Sequence, residues 1–553
     1  MEFIPKIDPL SNIWLSSIVA LVPIAVFFMC LVFLKLKAHI CGFFTVVFAI
    51  LIAIFVYDMP AKGAFASFIL GFTNGLWPIA WIIIAAIFLY KLSIKSGQFE
   101  ILKQTIMQIT PDHRIQVILI GFCLGGFLEG AIGFGGPVAI TAALLVGLGL
   151  KPLQAAGYCM IANTVPVAFG AVGIPVIAMT SSLGLDSLPV AAMVGRILTP
   201  LSIFIPFFII FLIDGIKGIK ETFPVVFIAA FSFALSQYFI SNYQGAELAG
   251  LGSAVISLLC SALFMFIWQP KNIFRFDGQT NFESQKFSAK EVLLAWSPFI
   301  LLIVFIAFWN IPYSKLSQDC GFLASFKDFL SFTNISIGFS NLGGLTIIKP
   351  TLVEGAAVSN QPLTYSISLI NTAGTAIFFA ALSTVFVLKV KKQDAISCFS
   401  ATLNEMAMPI VTIGLVVSFA YITNYSGASA TLGVALSATG GAFAFFSPLI
   451  GWVGVFLTGS DTSANLLFGA LQKATANNLN MSEILFLAAN SAGGVVGKMI
   501  SPQSIAVACA AVGLIGKEGE LFKFTLKYAI VLIMLIGIWI YAIAHYLPFM
   551  IIS

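Results

Sequence analysis

Charge is what this chain has least of. Asp, Glu, Lys and Arg together make up 9% of its 553 residues and His adds three, against 59% hydrophobic residues and a mean hydropathy of +1.04. That balance excludes an ordinary soluble globular protein, in which about a quarter of the residues are charged. Paired cysteines are missing too. The eight present (30, 41, 123, 159, 260, 320, 398 and 509) include no Cys-x-x-Cys and fall mostly within apolar runs. They read as packing residues, so neither a disulfide framework nor a metal site is expected. No Gly-x-x-x-x-Gly-Lys-Ser/Thr run occurs and the loops are too short for an ATPase domain, which excludes a nucleotide-driven pump. The weak ten-residue alternation of a β-barrel is absent as well. The first apolar run, Ile13 to Leu34, follows the mixed-charge segment of Glu2, Lys6 and Asp8 with no small-residue cleavage site behind it, so it reads as an uncleaved span rather than a signal peptide.

What is present is apolar length. Runs such as Phe223 to Ile240 and Thr364 to Leu388 recur along the chain, and only helices satisfy every backbone group over such stretches in lipid. The fold class is therefore an all-α polytopic membrane protein. The net charge of +5 does not point to nucleic acid, because the basic residues concentrate between spans: Lys35 and Lys37, Lys91 to Arg114, Lys217 and Lys220, Lys271 to Lys290, Lys389 to Lys392, and Lys517 to Lys527. This is the distribution of cytoplasmic loops.

Two interrupted apolar stretches share one pattern. Ala162-Asn163-Thr164 leads to Gly170 and Pro175, and Ala489-Asn490-Ser491 leads to Gly497 and Pro502, with the same internal spacing at an offset of 327. Further matches are collinear: Pro78 with Pro409 and Tyr90 with Tyr421 at 331, Ser96-Gly97 with Ser426-Gly427 at 330, and Leu128-x-Gly130 with Leu457-x-Gly459 at 329. Residues 74–182 and 404–513 are thus expected to be repeats, flanked by N-terminal helices (1–73), connecting helices (183–403) and a C-terminal helix (514–553). Gln98 to Thr110 is too polar to span, so it and its counterpart near residues 430–440 are expected to be interfacial helices. Stretches 115–149 and 442–479 become re-entrant hairpins, with tips at Glu129 to Gly136 and Thr458 to Asn465.

Seven crossings between the hairpins, starting near residues 152, 188, 222, 248, 292, 364 and 404, invert the second repeat and give about twelve full crossings with both termini outside. This topology places 19 Lys and Arg inside, 6 outside and 2 within the membrane, in accord with the positive-inside rule. Residues 311–362, the longest polar insertion, become a partly ordered external loop. His39 and His113 fall on the loop side, where solvent is expected to hold them.

Ionisable residues inside spans are costly, about 2.5–3.5 kcal/mol each at mid-helix on insertion scales, and are rarely retained without a use. Five stand out: Glu129, Arg196, Glu405, Asp461 and Lys498. Glu129 and Asp461 sit at the two tips, and Lys498 directly follows Gly497 of the second break. Gly130, Gly133 and Gly135, with Pro137 after them, read as an unwound tip followed by a helix start whose free amides favour an anion; the plainer alternative is a glycine packing seam. Asn163, Thr164, Asn490 and Ser491 offer groups that either bind a carboxylate or cap the breaks, and Thr458 adds a hydroxyl at the second tip. Lys498 is the best counter-charge for an anionic substrate, with Asp461 its expected neighbour, although a buried Lys–Asp pair is also a common structural device. Arg196 lies two turns into its span and either binds substrate or snorkels to the surface. Glu129, Asp461 and, with less weight, Glu405 are the candidate proton carriers. Paired broken helices in two halves point to a secondary transporter.

Several of these segments resemble the bacterial L-lactate permease family. Phe127 to Thr141 (FLEGAIGFGGPVAIT), Asn163 to Pro175 (NTVPVAFGAVGIP), Val194 to Leu198, Asp214-Gly215 with Lys220 to Thr222, and Gly493 to Gln503 (GGVVGKMISPQ) carry the likeness, which runs over nearly the whole chain. The resemblance implies proton-coupled uptake of L-lactate, and often D-lactate and glycolate, across the bacterial inner membrane, with no cofactor and a homo-oligomer possible. The paired hairpins are similar to those of the wider ion-transporter superfamily. Two alternatives stay open: a sodium-coupled carboxylate carrier, and, from another class, an intramembrane enzyme using the paired carboxylates. A channel is a weaker third.

Overall fold

The computed structural model describes residues 2–30, 34, 36–133, 136–276, 287–309, 334–338, 346–348, 360–362, 364–370 and 372–552. Gly135 and most of the expected external loop 311–362 lie outside the described residues.

The chain is a helical membrane protein. Ten helices are long and apolar enough to cross a bilayer among the described residues, or eleven with one bent pair. The longest, Ser187–Tyr243, has 57 residues and would extend about 85 Å at 1.5 Å per residue, close to three bilayer cores. It is two spans joined at Asp214 and Gly215, where Gly215 takes φ 60° and ψ −152° and breaks the helix. The segments expected to be interfacial form the helices Gln98–Met107 and Ala428–Ser437.

Three sequence expectations change. The span expected from Thr364 starts at Ala373; Thr364–Ser368 is instead a strand, antiparallel to Asn334–Gly338. Its Thr-Tyr-Ser-Ile-Ser order alternates with period two, the pattern of a strand rather than a span. His113 is also not a solvated loop residue. It is 9% exposed, its N–H donates to the Phe274 carbonyl at 2.9 Å, and its Nδ1 accepts from the Phe276 N–H at 3.0 Å.

Beside it, Arg114, counted above among loop cations, is 1% exposed. Its guanidinium meets Asp112 at 2.8 Å, Asp214 at 2.6 Å and Glu221 at 2.7 Å, and donates to the Asn272 carbonyl at 3.0 Å. One cation thus ties the root of the first hairpin to the kink of the long helix and to the segment after Ile267. Arg114→Met leaves three facing carboxylates without their cation and is expected to lower stability by about 3–5 kcal/mol, the cost of removing one partner from a buried ion pair. Thermal unfolding of the purified variant in detergent checks this.

Candidate functional site

Two hairpins and two broken spans converge on one buried point. The first hairpin runs through His113–Ala131 and Gly136–Gly147; the second through Phe443–Thr458 and Asp461–Asn478, turning at Gly459 and Ser460. The first broken span is Pro152–Asn163 followed by Gly170–Leu183, bent through 64°. Its partner is Glu483–Gly497 followed by Pro502–Ala511.

The two breaks differ for a reason visible in single residues. In the first, Pro166 denies the helix an N–H and its ring would clash with the carbonyl four residues back, so the helix stops at Asn163. Ala171, Val172 and Gly173 then take left-handed angles (φ 43°, 59° and 76°), a conformation that strains a β-branched residue such as Val172. At the offset of 327, Pro166 corresponds to Gly493. The second helix therefore continues to Gly497 and presses its backbone onto the hairpin: a Cβ on Gly493 would lie 1.8 Å from the Pro448 carbonyl oxygen. It breaks only at Lys498–Ile500, before Ser501, whose hydroxyl accepts from the Ser504 N–H and caps the next helix.

Lys498 Nζ reaches across to the first hairpin and donates to Glu129 Oε1 at 2.5 Å, and Asn163 Nδ2 donates to Glu129 Oε2 at 3.0 Å. The expected pairing of Lys498 with Asp461 is thus replaced by one with Glu129. Asp461 Oδ2 accepts from Ser491 Oγ at 2.7 Å and from Asn465 Nδ2 at 3.4 Å, while Oδ1 is buried with no partner. All three charged side chains are buried, at 2%, 3% and 7% exposure for Glu129, Asp461 and Lys498. They line a cavity of about 40 Å³ with Gly133, Gly170, Ala171, Gly459, Ser460 and Thr462, enough for about three water-sized groups.

Behind Asp461 lies a polar ladder. Asn465 Nδ2 also donates to the Pro175 carbonyl at 3.2 Å, Asn490 Nδ2 to Asn465 Oδ1 at 2.9 Å, Gln472 Nε2 to Asn490 Oδ1 at 3.0 Å, and Ser447 Oγ to Gln472 Oε1 at 2.8 Å. It fastens the second hairpin to the second broken span and touches the first. Asn163 and Ser491 therefore stand one layer behind the cavity, each holding one of its carboxylates, and Asn490 stands a step further back, bonded to Asn465. Thr164 Oγ1 donates to the Ile161 carbonyl at 2.6 Å, and Thr458 Oγ1 to the carbonyls of Gly454 and Ser460 at 2.8 and 3.1 Å; both close backbone turns.

Of the tip glycines, Gly133 (φ 63°) lines the cavity. Gly130 is a packing position, since a Cβ there would lie 2.5 Å from the Leu251 nitrogen. Arg196 is elsewhere: Nε donates to Asn242 Oδ1 at 2.9 Å and Nη1 to the Met550 carbonyl at 2.7 Å. Glu405 is exposed and pairs with Lys91, so Glu405→Gln is expected to leave uptake within about threefold of wild type, as for other exposed substitutions.

Sequence reading missed Asn465 and Gln472. The available signal was their register with Asp461, at i+4 and i+11 on one helix face.

A buried anion–cation pair, a second buried carboxylate and a small cavity between broken helices are the features expected of a polytopic transporter. Comparison with known proteins narrows the class. Residues 16–547 match the family model described as L-lactate permease. The L-lactate permease of Escherichia coli (strain K12) is 49% identical over 551 residues, covering 98% of each chain. The L-lactate permease of Bacillus subtilis (strain 168) is 45% identical over 553 residues, again 98% of each. The glycolate permease GlcA of Escherichia coli (strain K12) is 46% identical over 549 residues, 96% of each. The chain belongs to the L-lactate permease family: it is a multi-pass membrane transporter, not an enzyme.

Proposed function

We propose that this chain carries L-lactate, with D-lactate and glycolate as further substrates, together with a proton across the bacterial inner membrane. One observation carries the reading: a buried Lys498–Glu129 pair at a small cavity, faced by an Asp461 oxygen with no partner. A 2-hydroxymonocarboxylate brings one carboxylate and one hydroxyl, and both have a place here. Its carboxylate competes with Glu129 for Lys498. Asp461 Oδ1, when protonated, donates to the substrate; when ionised, it repels it. Entry of one monoanion with one proton leaves the total buried charge unchanged, so neither form of the site holds an extra charge in low dielectric.

On this reading residues 74–182 and 404–513 act as inverted repeats, their hairpins re-enter from opposite sides, and the segments 1–73, 183–403 and 514–553 frame them. Glu129 and Lys498, one from each repeat, are then the contact through which the halves sense the substrate.

Uptake of labelled L-lactate into proteoliposomes, with proton and sodium gradients imposed separately, tests the proposal. Accumulation that follows the pH gradient, persists when choline replaces sodium, and is competed by D-lactate and glycolate but not by a dicarboxylate is the expected result. Dependence on sodium at fixed pH would overturn proton coupling, and competition by dicarboxylates would overturn the substrate class.

A further inference from the structure

Away from the central cavity, an apolar groove of about 680 Å³ lies between Trp81–Lys95 and the pair Ala373–Val387 and Lys392–Ser426. Its floor is an aromatic triad: the Phe88 ring stands 5.2 Å from Phe399 and 6.1 Å from Phe378, centroid to centroid, and Phe378 lies 6.1 Å from Phe399. Two lysines, Lys389 and Lys392, form its rim, with Lys391 beside them, and all three are exposed.

Nearby carboxylates are already taken. Asp394 pairs with Lys95 at 3.4 Å and Glu405 with Lys91 at 2.5 Å, and no ion pair engages Lys389, Lys391 or Lys392 among the described residues. The groove is therefore apolar through its depth and cationic only at its mouth. That polarity matches a molecule with a hydrocarbon tail and an anionic head, which the bilayer supplies. A second copy of the chain fits less well, because a twofold contact through this face would set the same lysine rims against each other.

We infer that this groove binds an anionic glycerophospholipid, with an acyl chain against Phe88, Phe378 and Phe399 and its phosphate held by Lys389, Lys391 and Lys392. The lipid belongs to the cytoplasmic leaflet if the loop joining these two helices is cytoplasmic, as the topology above has it; the binding chemistry does not depend on that.

The test uses the full-length protein, purified and delipidated in detergent, with thermal unfolding followed as lipid is added. Phosphatidylglycerol is expected to raise the midpoint by about 5 °C, as a ligand specific for the folded state does. Phosphatidylcholine with the same chains, lacking the net charge, and glycerol 3-phosphate, lacking the tails, are expected to have little effect. The triple variant K389Q/K391Q/K392Q loses the preference for phosphatidylglycerol, and Leu382→Trp, which fills the groove wall, loses the response altogether. Equal shifts with the two lipids, a full shift with glycerol 3-phosphate alone, or a triple variant that keeps the preference overturns the inference. Native mass spectrometry of the wild type in an equal mixture of the two lipids gives a readout that needs no variant. Retained phosphatidylglycerol in clear excess supports the site; equal retention, or a lipid-free dimer, overturns it.

Discussion

Lys498→Met is expected to remove nearly all lactate uptake while leaving the protein in the membrane. Truncating one member of a buried charge pair costs about 2–5 kcal/mol of binding, roughly 30- to 5,000-fold in affinity, and Lys498 is the one buried cation lining the cavity among the described residues. The same substitution strands Glu129, whose Oε1 faced the ammonium at 2.5 Å and whose Oε2 keeps only Asn163. A stability loss of about 3–5 kcal/mol is therefore expected alongside the transport loss, and the two must be separated. The double variant Glu129→Gln/Lys498→Met does so: with both charges gone it is expected to recover most of the thermal stability and none of the uptake. A double variant that transports at wild-type rates would reduce the pair to a structural tie. Unfolding midpoints measured in detergent and initial uptake rates measured in proteoliposomes, on the same preparations, give both readouts.

The breaks and the tips were legible in the sequence because they are exceptions within a monotonous background. A Gly, Asn or Pro amid apolar residues, and a carboxylate or lysine inside a span, each departs from what lipid tolerates. Which charges meet was not legible. Lys498 and Asp461 lie in the same repeat and 37 positions apart, so their pairing was the natural expectation. The structure pairs Lys498 with Glu129, 369 positions away, because only the folded chain brings the first hairpin and the second break together. Arg114 was misread for a related reason. Loop position predicts solvent, but Asp214 and Glu221, on one distant helix, join the neighbouring Asp112 in a buried niche that only tertiary packing assembles. Arg196 shows the converse. Its place two turns into a span left substrate binding and snorkelling both open, yet Asn242 and the Met550 carbonyl engage it, and neither partner is marked by sequence spacing. The contrast between Pro166 and Gly493 was readable from the shared spacing of the two stretches, since proline ends a helix and glycine lets it approach a neighbour, and it accounts for why one break is long and the other short.

Asp461→Asn is expected to separate substrate movement from its driving force. The substitution keeps shape and retains an oxygen for the Ser491 hydroxyl, which now donates to Oδ2 at 2.7 Å. It places an amide where Oδ1 stands without a partner, so the site carries a permanent neutral donor in place of a group that gains and loses a proton. Lactate then binds and crosses with no proton required at this position. In 1:1 symport, an inward gradient of one pH unit, about 1.4 kcal/mol per proton, supports at most about tenfold accumulation. The variant is expected to bring that to parity with the outside while preserving exchange of labelled for unlabelled lactate in the absence of any gradient. Accumulation that still reaches the wild-type level would remove Asp461 as the coupling group and leave Glu129, beside Lys498, to carry the proton. Loss of exchange together with accumulation would make Asp461 a substrate ligand first. The buried oxygen without a partner thus has two distinguishable uses, and gradient-driven uptake set against counterflow tells them apart.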